Sequence, residues 1–174
     1  MVGVIVLAIV LLAGSSTKND TVGRPVDTGS LAPLFTPVAG LRFVDAPAGL
    51  VASVRSSLDN VPGAKALFGE IQAKGVKVGD RTLAAALAVS LNERYSTSPG
   101  FADNFKAGFK TGFGADTSTD VTLAGEQATF YRKANGTGAL LFLKGRVVIL
   151  VAGRSLSDLE VAMTGLVTNA TGHS

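Results

Sequence analysis

ALLFLKGRVVILVA, residues 139–152, joins two apolar runs through a short polar turn. Both runs are rich in branched side chains, which is typical of buried strands. The intervening Lys144-Gly145 predicts a tight turn and therefore an antiparallel hairpin. Because both runs are apolar at every position, we expect other elements to cover both faces of this hairpin.

Further strands precede this hairpin. Residues 127–133 are predicted to form a strand, and Asn135-Gly136 predicts a type I′ turn back to Ala139. Val121-Thr122-Leu123 predicts another short strand upstream. The C-terminal third is therefore predicted to be an antiparallel meander of three to four strands.

The earlier part of the domain predicts both strands and helices. Residues 41–44 predict a short strand, and apolar residues recur at helical spacing from Leu50 to Val61, where Pro62 ends the pattern. A second helical stretch is predicted through Leu67, Phe68 and Ile71.

Residues 76–78 and 83–91 flank Gly79-Asp80, which predicts a hairpin. Leu83, Leu87 and Leu91 also fit a helix at four-residue spacing, and the four alanines among them favour helix. The turn before the segment favours a strand, and the helix stays open as the alternative.

A helix is predicted after Ser98-Pro99, with Ser98 as N-cap and Pro99 at the first helical position. Its phenylalanines form a stripe at four-residue spacing. A stripe of this kind packs on the protein's own sheet or contacts a lipid or ligand, and Gly108 and Gly112 favour packing because they weaken an isolated helix. The candidate ligand or lipid contacts are Phe101, Phe105, Phe109 and Phe113, with the flanking Lys106 and Lys110.

The last helix is predicted to begin at Ser155, with Asp158 placed to support the cap. Its apolar face comprises Leu156, Leu159, Met163, Leu166 and Val167. Together these elements predict an α+β fold, in which three to four helices cover a mostly antiparallel sheet of five to six strands.

The first residues are predicted to be an apolar leader. Residues 2–13 contain no polar side chain and lead into small residues, which is typical of a secretory signal. No cation precedes this run, and the first is Lys18. Two interpretations remain: a longer export signal that starts upstream, or a membrane anchor of weakly set orientation. A buried N-terminal strand is a third, less favoured interpretation.

Three regions are therefore predicted. Residues 1–14 are a signal or membrane anchor, and residues 15–40, rich in Ser, Thr, Gly and Pro, are a flexible linker. Residues 41–170 form the extracytoplasmic α+β domain, which suffices for a hydrophobic core. We expect the protein to be located at the cell membrane or to be secreted.

The sequence predicts no cofactor, metal or catalytic site. The chain has no Cys, and its single His, His173, lies in a polar tail where no base is expected to be held. The stretch from Asp116 to Asp120 resembles a calcium loop only in part, because the late Glu is missing. Glu93, Asp103 and Glu126 are hydrolase candidates by chemistry alone, in a chain without Trp.

The charge pattern argues against nucleic-acid binding. The net charge is +3, and the basic residues are scattered without a run of five. Weak attraction to an anionic membrane surface is compatible with this excess.

Four short stretches resemble small exported proteins of unknown function from high-GC Gram-positive bacteria. The resemblance implies export and a compact α+β fold, and it assigns no site residue. The chain departs from the usual export signals because Ser15 stands where a lipidated Cys would be, and because cations are missing from its start. The stretches are LRFVDAP at 41–47, PGFAD at 99–103, VTLAG at 121–125 and VILVAG at 148–153.

The sequence thus favours a tethered or exported domain that is not an enzyme. We expect it to contact the membrane through its N-terminal segment and to bind an envelope protein or an apolar ligand. A structural or regulatory subunit of a membrane complex is the alternative, and a hydrolase of unrecognised type is a third possibility.

Overall fold

Seven strands form one antiparallel sheet in the computed structural model, which describes residues 30–46, 49–59 and 67–172. Their order across the sheet is β1-β2-β3-β7-β6-β5-β4. The strands are β1 (Leu41–Asp45), β2 (Phe68–Val78), β3 (Arg81–Leu91), β4 (Thr117–Leu123), β5 (Glu126–Arg132), β6 (Gly138–Lys144) and β7 (Val147–Gly153).

Helices lie on both faces of this sheet, so the predicted α+β class is confirmed. The sheet has more strands than the five to six that were predicted. The helices among the described residues are α1 (Leu50–Asp59), the one-turn α2 (Glu93–Ser96), α3 (Phe101–Phe113) and α4 (Leu156–Thr171), with a 3-10 helix at Ala32–Phe35.

Strand β2 is longer than the predicted strand at residues 76–78, and it includes residues of the predicted second helix, which is wrong. Phe68 and Ile71 lie in β2, whose residues pair with β3 on one side and with β1 on the other. Ile71 and Ala73 are buried in one core, whereas Val76 is buried in the other. Long-range pairing with β3 therefore overrides the local helical spacing, and the predicted strand at 83–91 is confirmed as β3.

One face of the sheet packs against α1 and α3. The β6 residue Leu141 and the β7 residues Val148 and Leu150 point to this face. Three rings of the phenylalanine stripe pack on them, which confirms the packing interpretation for Phe105, Phe109 and Phe113.

The opposite face packs against α4. Leu140 and Phe142 of β6 alternate with the residues that face α3, and so do Ile149 and Val151 of β7. Cover on both faces of the central hairpin is therefore confirmed, as strands that are apolar at every position require. The α4 side of this core comprises Leu159, Ala162, Met163, Leu166 and Val167, whereas Leu156 is 40% exposed.

The chain joins this second core earlier than the predicted linker boundary at residue 41. Leu31, Leu34 and Phe35 are buried against α4 and the sheet. The Asn169 side-chain amide donates hydrogen bonds to the carbonyl oxygens of Leu34, at 2.9 Å, and Thr36, at 2.8 Å. Apolar residues spaced among prolines thus form a packed 3-10 helix here, although composition alone is typical of a linker.

The predicted start of α3 is wrong by two residues. Helix α3 begins at Phe101, and its N-cap is Gly100, with φ of 72°. This left-handed backbone is open mainly to glycine, and it separates Ser98-Pro99 from the helix. The predicted N-cap of α4 is confirmed, because the Asp158 backbone N–H donates to the Ser155 hydroxyl at 3.3 Å.

The hairpin between β5 and β6 is confirmed, but its turn is not type I′. That turn needs positive φ at two successive residues, and here only Gly136 has it. Ala124-Gly125, between β4 and β5, has φ of 50° and 79° and meets the requirement instead.

The predicted leader (residues 1–14), most of the predicted linker and His173 lie outside the described residues. Within the described ranges, no helix is both long enough and apolar enough to cross a membrane.

Candidate functional site

The six residues predicted as ligand or lipid contacts all lie on α3. Three of the rings are directed at the sheet: Phe109 and Phe113 stack with centroids 5.5 Å apart, and Phe109 meets Tyr131 of β5 at 4.9 Å. Phe101 is half-buried at the start of the helix, and Lys110 is exposed. Contact with a lipid by the three buried rings would therefore require α3 to leave the sheet.

A small apolar cavity lies beneath α3. Its volume is about 10 Å³, and it is lined by Phe105, Phe109 and side chains of the sheet. This volume corresponds to roughly one water-sized sphere. The cavity is therefore too small for an organic ligand in this conformation.

Polar side chains beside α3 form a structural network around Tyr131. The Tyr131 hydroxyl donates to the Lys106 carbonyl oxygen at 3.3 Å, and burial raises the pKa of Tyr131 to about 12. On β5, the Thr129 hydroxyl donates to the Asp120 carboxylate at 2.7 Å, and the Lys106 ammonium lies 3.9 Å from the same carboxylate. Tyr131 is therefore neutral at pH 7, and the network links α3 to β4 and β5.

Glu93, Glu126 and Asp116, three of the candidate carboxylates, each have a separate structural partner. Glu93 lies 3.7 Å from Arg146, and Glu126 lies 2.5 Å from Lys144. Asp116, just before β4, accepts a hydrogen bond at 2.6 Å from the backbone of Ala134, which lies in the loop between β5 and β6. Across the described residues, no group of three potential ligands could hold a metal ion.

A groove lies at the edge of the sheet where β2 extends beyond β1. Strand β2 has 11 residues and β1 has five, and their pairing ends with Asp45 opposite Lys74. In the part of the chain that the structure describes, no strand pairs with the outer edge of residues 68–73. The groove has a volume of about 530 Å³, and the β2 residues that line it are 71–74.

Two apolar walls flank the open edge. One wall belongs to the α1 side of the sheet, and the other belongs to the α4 side, where the rings of Phe35 and Phe43 meet edge to face at 5.6 Å. The lining residues are Val51, Ile71 and Ala73 on the first wall, Ala32, Phe35 and Phe43 on the second, and Gln72 and Lys74 along β2.

The charged groups beside the groove already have partners. The Lys74 ammonium lies 2.7 Å from the Asp45 carboxylate, and this contact holds the pKa of Asp45 below its usual range. The Glu70 carboxylate accepts hydrogen bonds from the Leu31 backbone at 2.8 Å and from the Gln72 side chain at 2.5 Å. The groove therefore offers apolar walls and strand backbone rather than free charge.

The chain matches no model of a protein family, no curated protein and no solved structure. The resemblance to small exported proteins thus stays a prediction, and the groove must be interpreted from its own residues.

None of the residues predicted as contacts lines this groove. Ala32 and Phe35 of its second wall come from the predicted linker, whereas Phe43 comes from the predicted first strand. Ile71 of its open edge comes from the stretch predicted as a helix. The signal in the sequence was the large apolar residues Leu31, Leu34 and Phe35 within the stretch predicted as a linker.

Proposed function

We propose that the protein is a non-enzymatic binding domain of the cell envelope, and that the groove beside β2 is its site for a protein or an apolar ligand. The observation that carries this proposal is the groove itself, in which two apolar walls flank a strand edge that no described strand covers. Exposed apolar surface that is concave and bounded by polar groups is typical of binding sites.

The chemistry of the lining supports binding rather than catalysis. The one titratable group among the lining residues is Lys74, and its ammonium is engaged by Asp45. Nucleophilic catalysis needs an activated nucleophile with a base in reach, and the groove presents neither among its lining side chains. The apolar run at residues 2–13 supports a location at the envelope, since it is typical of export.

The proposal is tested by titrating the full chain with Nile red, an uncharged apolar dye, in three forms. Ala32→Arg places a long charged side chain at the groove, and Ala107→Arg makes the same change at an exposed position of α3. We expect Ala32→Arg to remove one saturable component of dye binding that the wild type and Ala107→Arg retain. Identical titrations for all three proteins would overturn the proposal.

A further inference from the structure

We infer, on the basis of the proposed function, that the groove binds an extended, uncharged polypeptide segment as an additional strand along residues 71–73 of β2. Such a segment would continue the sheet beyond the point where β1 ends, at the pair formed by Asp45 and Lys74.

The exposed backbone of β2 favours a polypeptide as the ligand. The inner edge of β2 is occupied by β3: Ile71 lies opposite Val89, and the Glu70 backbone donates to the Ser90 hydroxyl at 2.7 Å. The pairing with β3 is irregular between Phe68 and Ile71 and regular from Ile71 to Val76. A strand directs its hydrogen-bonding groups alternately to its two sides, so residues 71–73 also present N–H and C=O groups outward. Another polypeptide backbone is the ligand that matches this row of donors and acceptors.

The two walls determine which side chains fit. Successive side chains of a strand point to opposite faces, so those of an added strand would alternate between the two walls. One set would meet Val51 and Ile71, and the other set would meet Phe35 and Phe43. The first set must be apolar, because Val51, Ile71 and Ala73 line that side. The second set also meets Gln72 and Lys74, which alternate with Ile71 and Ala73 along β2, so it is apolar or uncharged polar. Three residues extend about 10 Å, which gives the length of the paired segment.

The paired charges beside the groove exclude a charged segment. Lys74 is paired with Asp45, and the Glu70 carboxylate is engaged by Leu31 and Gln72. A charged side chain buried against either wall would lose water without gaining a partner, which is costly. The complementary segment is therefore uncharged where it lies between the two walls.

The path of the chain links this site to the predicted anchor. Ser30 and Leu31 lie beside the groove, since the Leu31 backbone N–H binds Glu70. Residues 15–29 separate them from the predicted leader, and a chain of this length reaches at most about 55 Å. A groove tethered in this way would meet segments of proteins that lie close to the membrane.

The test uses the full chain and the synthetic peptide Ac-Lys-Val-Val-Ile-Leu-Val-Lys-amide, which carries the sequence of residues 147–151 between lysines. Two matched versions carry N-methyl groups on alternate residues. One version is methylated at the first, third and fifth of the five apolar positions, and the other is methylated at the second and fourth. Each set blocks hydrogen bonding along one edge of the peptide only.

We expect the parent peptide and one methylated version to bind alike, and the other version to bind at least about tenfold more weakly. Ala32→Arg should weaken binding of the parent, whereas Ala107→Arg should not. Bound peptide should also slow amide hydrogen exchange at alternate residues between 71 and 73.

Equal binding of both methylated peptides would overturn strand addition and leave the proposed function in place. The same conclusion would follow if no peptide bound while Ala32→Arg still removed the saturable component of Nile red binding. Protection of the same amides without peptide, rising with protein concentration, would identify a second copy as the occupant and overturn the inference. Loss of the Nile red difference would overturn the proposed function itself.

Discussion

The two edges of the sheet differ in what they present to a partner. Strand β4 pairs with β5 from Thr117 to Leu123, and its outer edge is open along the whole strand within the described part of the chain. Its first four residues are exposed Thr, Ser, Thr and Asp. At the other edge, β1 covers only part of β2 and leaves apolar walls beside the open part. Polar side chains protect open edges from pairing, so the contrast singles out β2.

Two contacts on opposite faces of the sheet connect helices to strands near these edges, and α4 also contacts β4 itself. On the β4 side, α3 holds β5 through the contact between Phe109 and Tyr131. On the β1 side, α4 holds Leu41 of β1 close to Gly165. Substitutions at these contacts therefore separate the contribution of each helix to its edge.

The largest effect is expected on the β4 side. Phe109→Ala should lower the free energy of unfolding by about 3–5 kcal/mol, because it removes a buried ring and leaves a cavity. Phe101→Ala is the matched control, and we expect a clearly smaller loss since that ring is half-buried. Urea unfolding of both variants measures the difference. Equal losses would show that the stripe does not divide into core and surface rings.

The pH dependence of stability tests the burial of Tyr131 at the same contact. Folding raises the pKa of Tyr131 from an ordinary value near 10 to about 12, chiefly because the ring is buried. The contribution of this raised pKa to the free energy of unfolding is therefore present in full below pH 10. It declines by about 2–3 kcal/mol as the pH rises from 10 through 12. Unfolding at several alkaline pH values, compared with Tyr131→Phe, isolates this contribution. The same decline in Tyr131→Phe would assign it to other groups.

The β1 side is tested by Gly165→Ala. A methyl group at this position would overlap the Leu41 side chain and approach a Val38 methyl at 3.1 Å. We expect a loss of about 1–3 kcal/mol, as for other overpacked cores. Weaker Nile red binding should accompany it, because Leu41 begins the strand that borders the groove. The neighbouring Thr164→Ala serves as control, and a comparable loss there would argue against a specific contact.

A smaller gain is expected at the turn that leads from β4 into β5. Ala124 has φ of 50°, a left-handed backbone that costs a non-glycine residue roughly 1 kcal/mol. Ala124→Asn should therefore raise the melting temperature, since Asn-Gly is the preferred sequence of this turn. Ala134→Asn, in the loop between β5 and β6, is the control at ordinary φ. No gain at 124, or an equal gain at 134, would contradict this account.

The sequence predicted the C-terminal part of the fold well because its signals are local. The strands at 139–143 and 147–151 are apolar at every position, and that pattern alone requires cover on both faces. Ser155 and Asp158 located the start of α4 for a similarly local reason. The hairpin of β2 and β3 was recognised at its turn, where Gly79-Asp80 stands between apolar stretches.

The candidate site was missed because its residues are distant in sequence. Phe68 and Ile71 have spacing that fits a helix, and only pairing with residues 89–91 of β3 makes them a strand. Phe35 and Phe43 form one wall through packing against α4 and the sheet, which local spacing does not reveal. The phenylalanine stripe was visible, yet its burial depends on the sheet beneath it.

The smallest effect is expected where the paired part of the β2 edge ends. Lys74→Met should raise the pKa of Asp45 toward its ordinary value, because the lysine supplies both the hydrogen bond and the charge that lower it. The lowered pKa of Asp45 stabilises the fold at pH values above the ordinary pKa of this group. The contribution is lost as the pH falls through the lowered pKa. Carbon-13 NMR titration of the Asp45 carboxyl measures the change.

Lys77→Met is the matched control, because Lys77 lies in the same strand opposite Arg42 rather than Asp45. We expect Asp45 to keep its lowered pKa in that variant. An equal rise in both variants would mean that general positive charge, rather than the Lys74 contact, holds the carboxylate ionised. The Lys74 ammonium would then be free to meet a ligand, and the exclusion of acidic segments from the groove would fail with it.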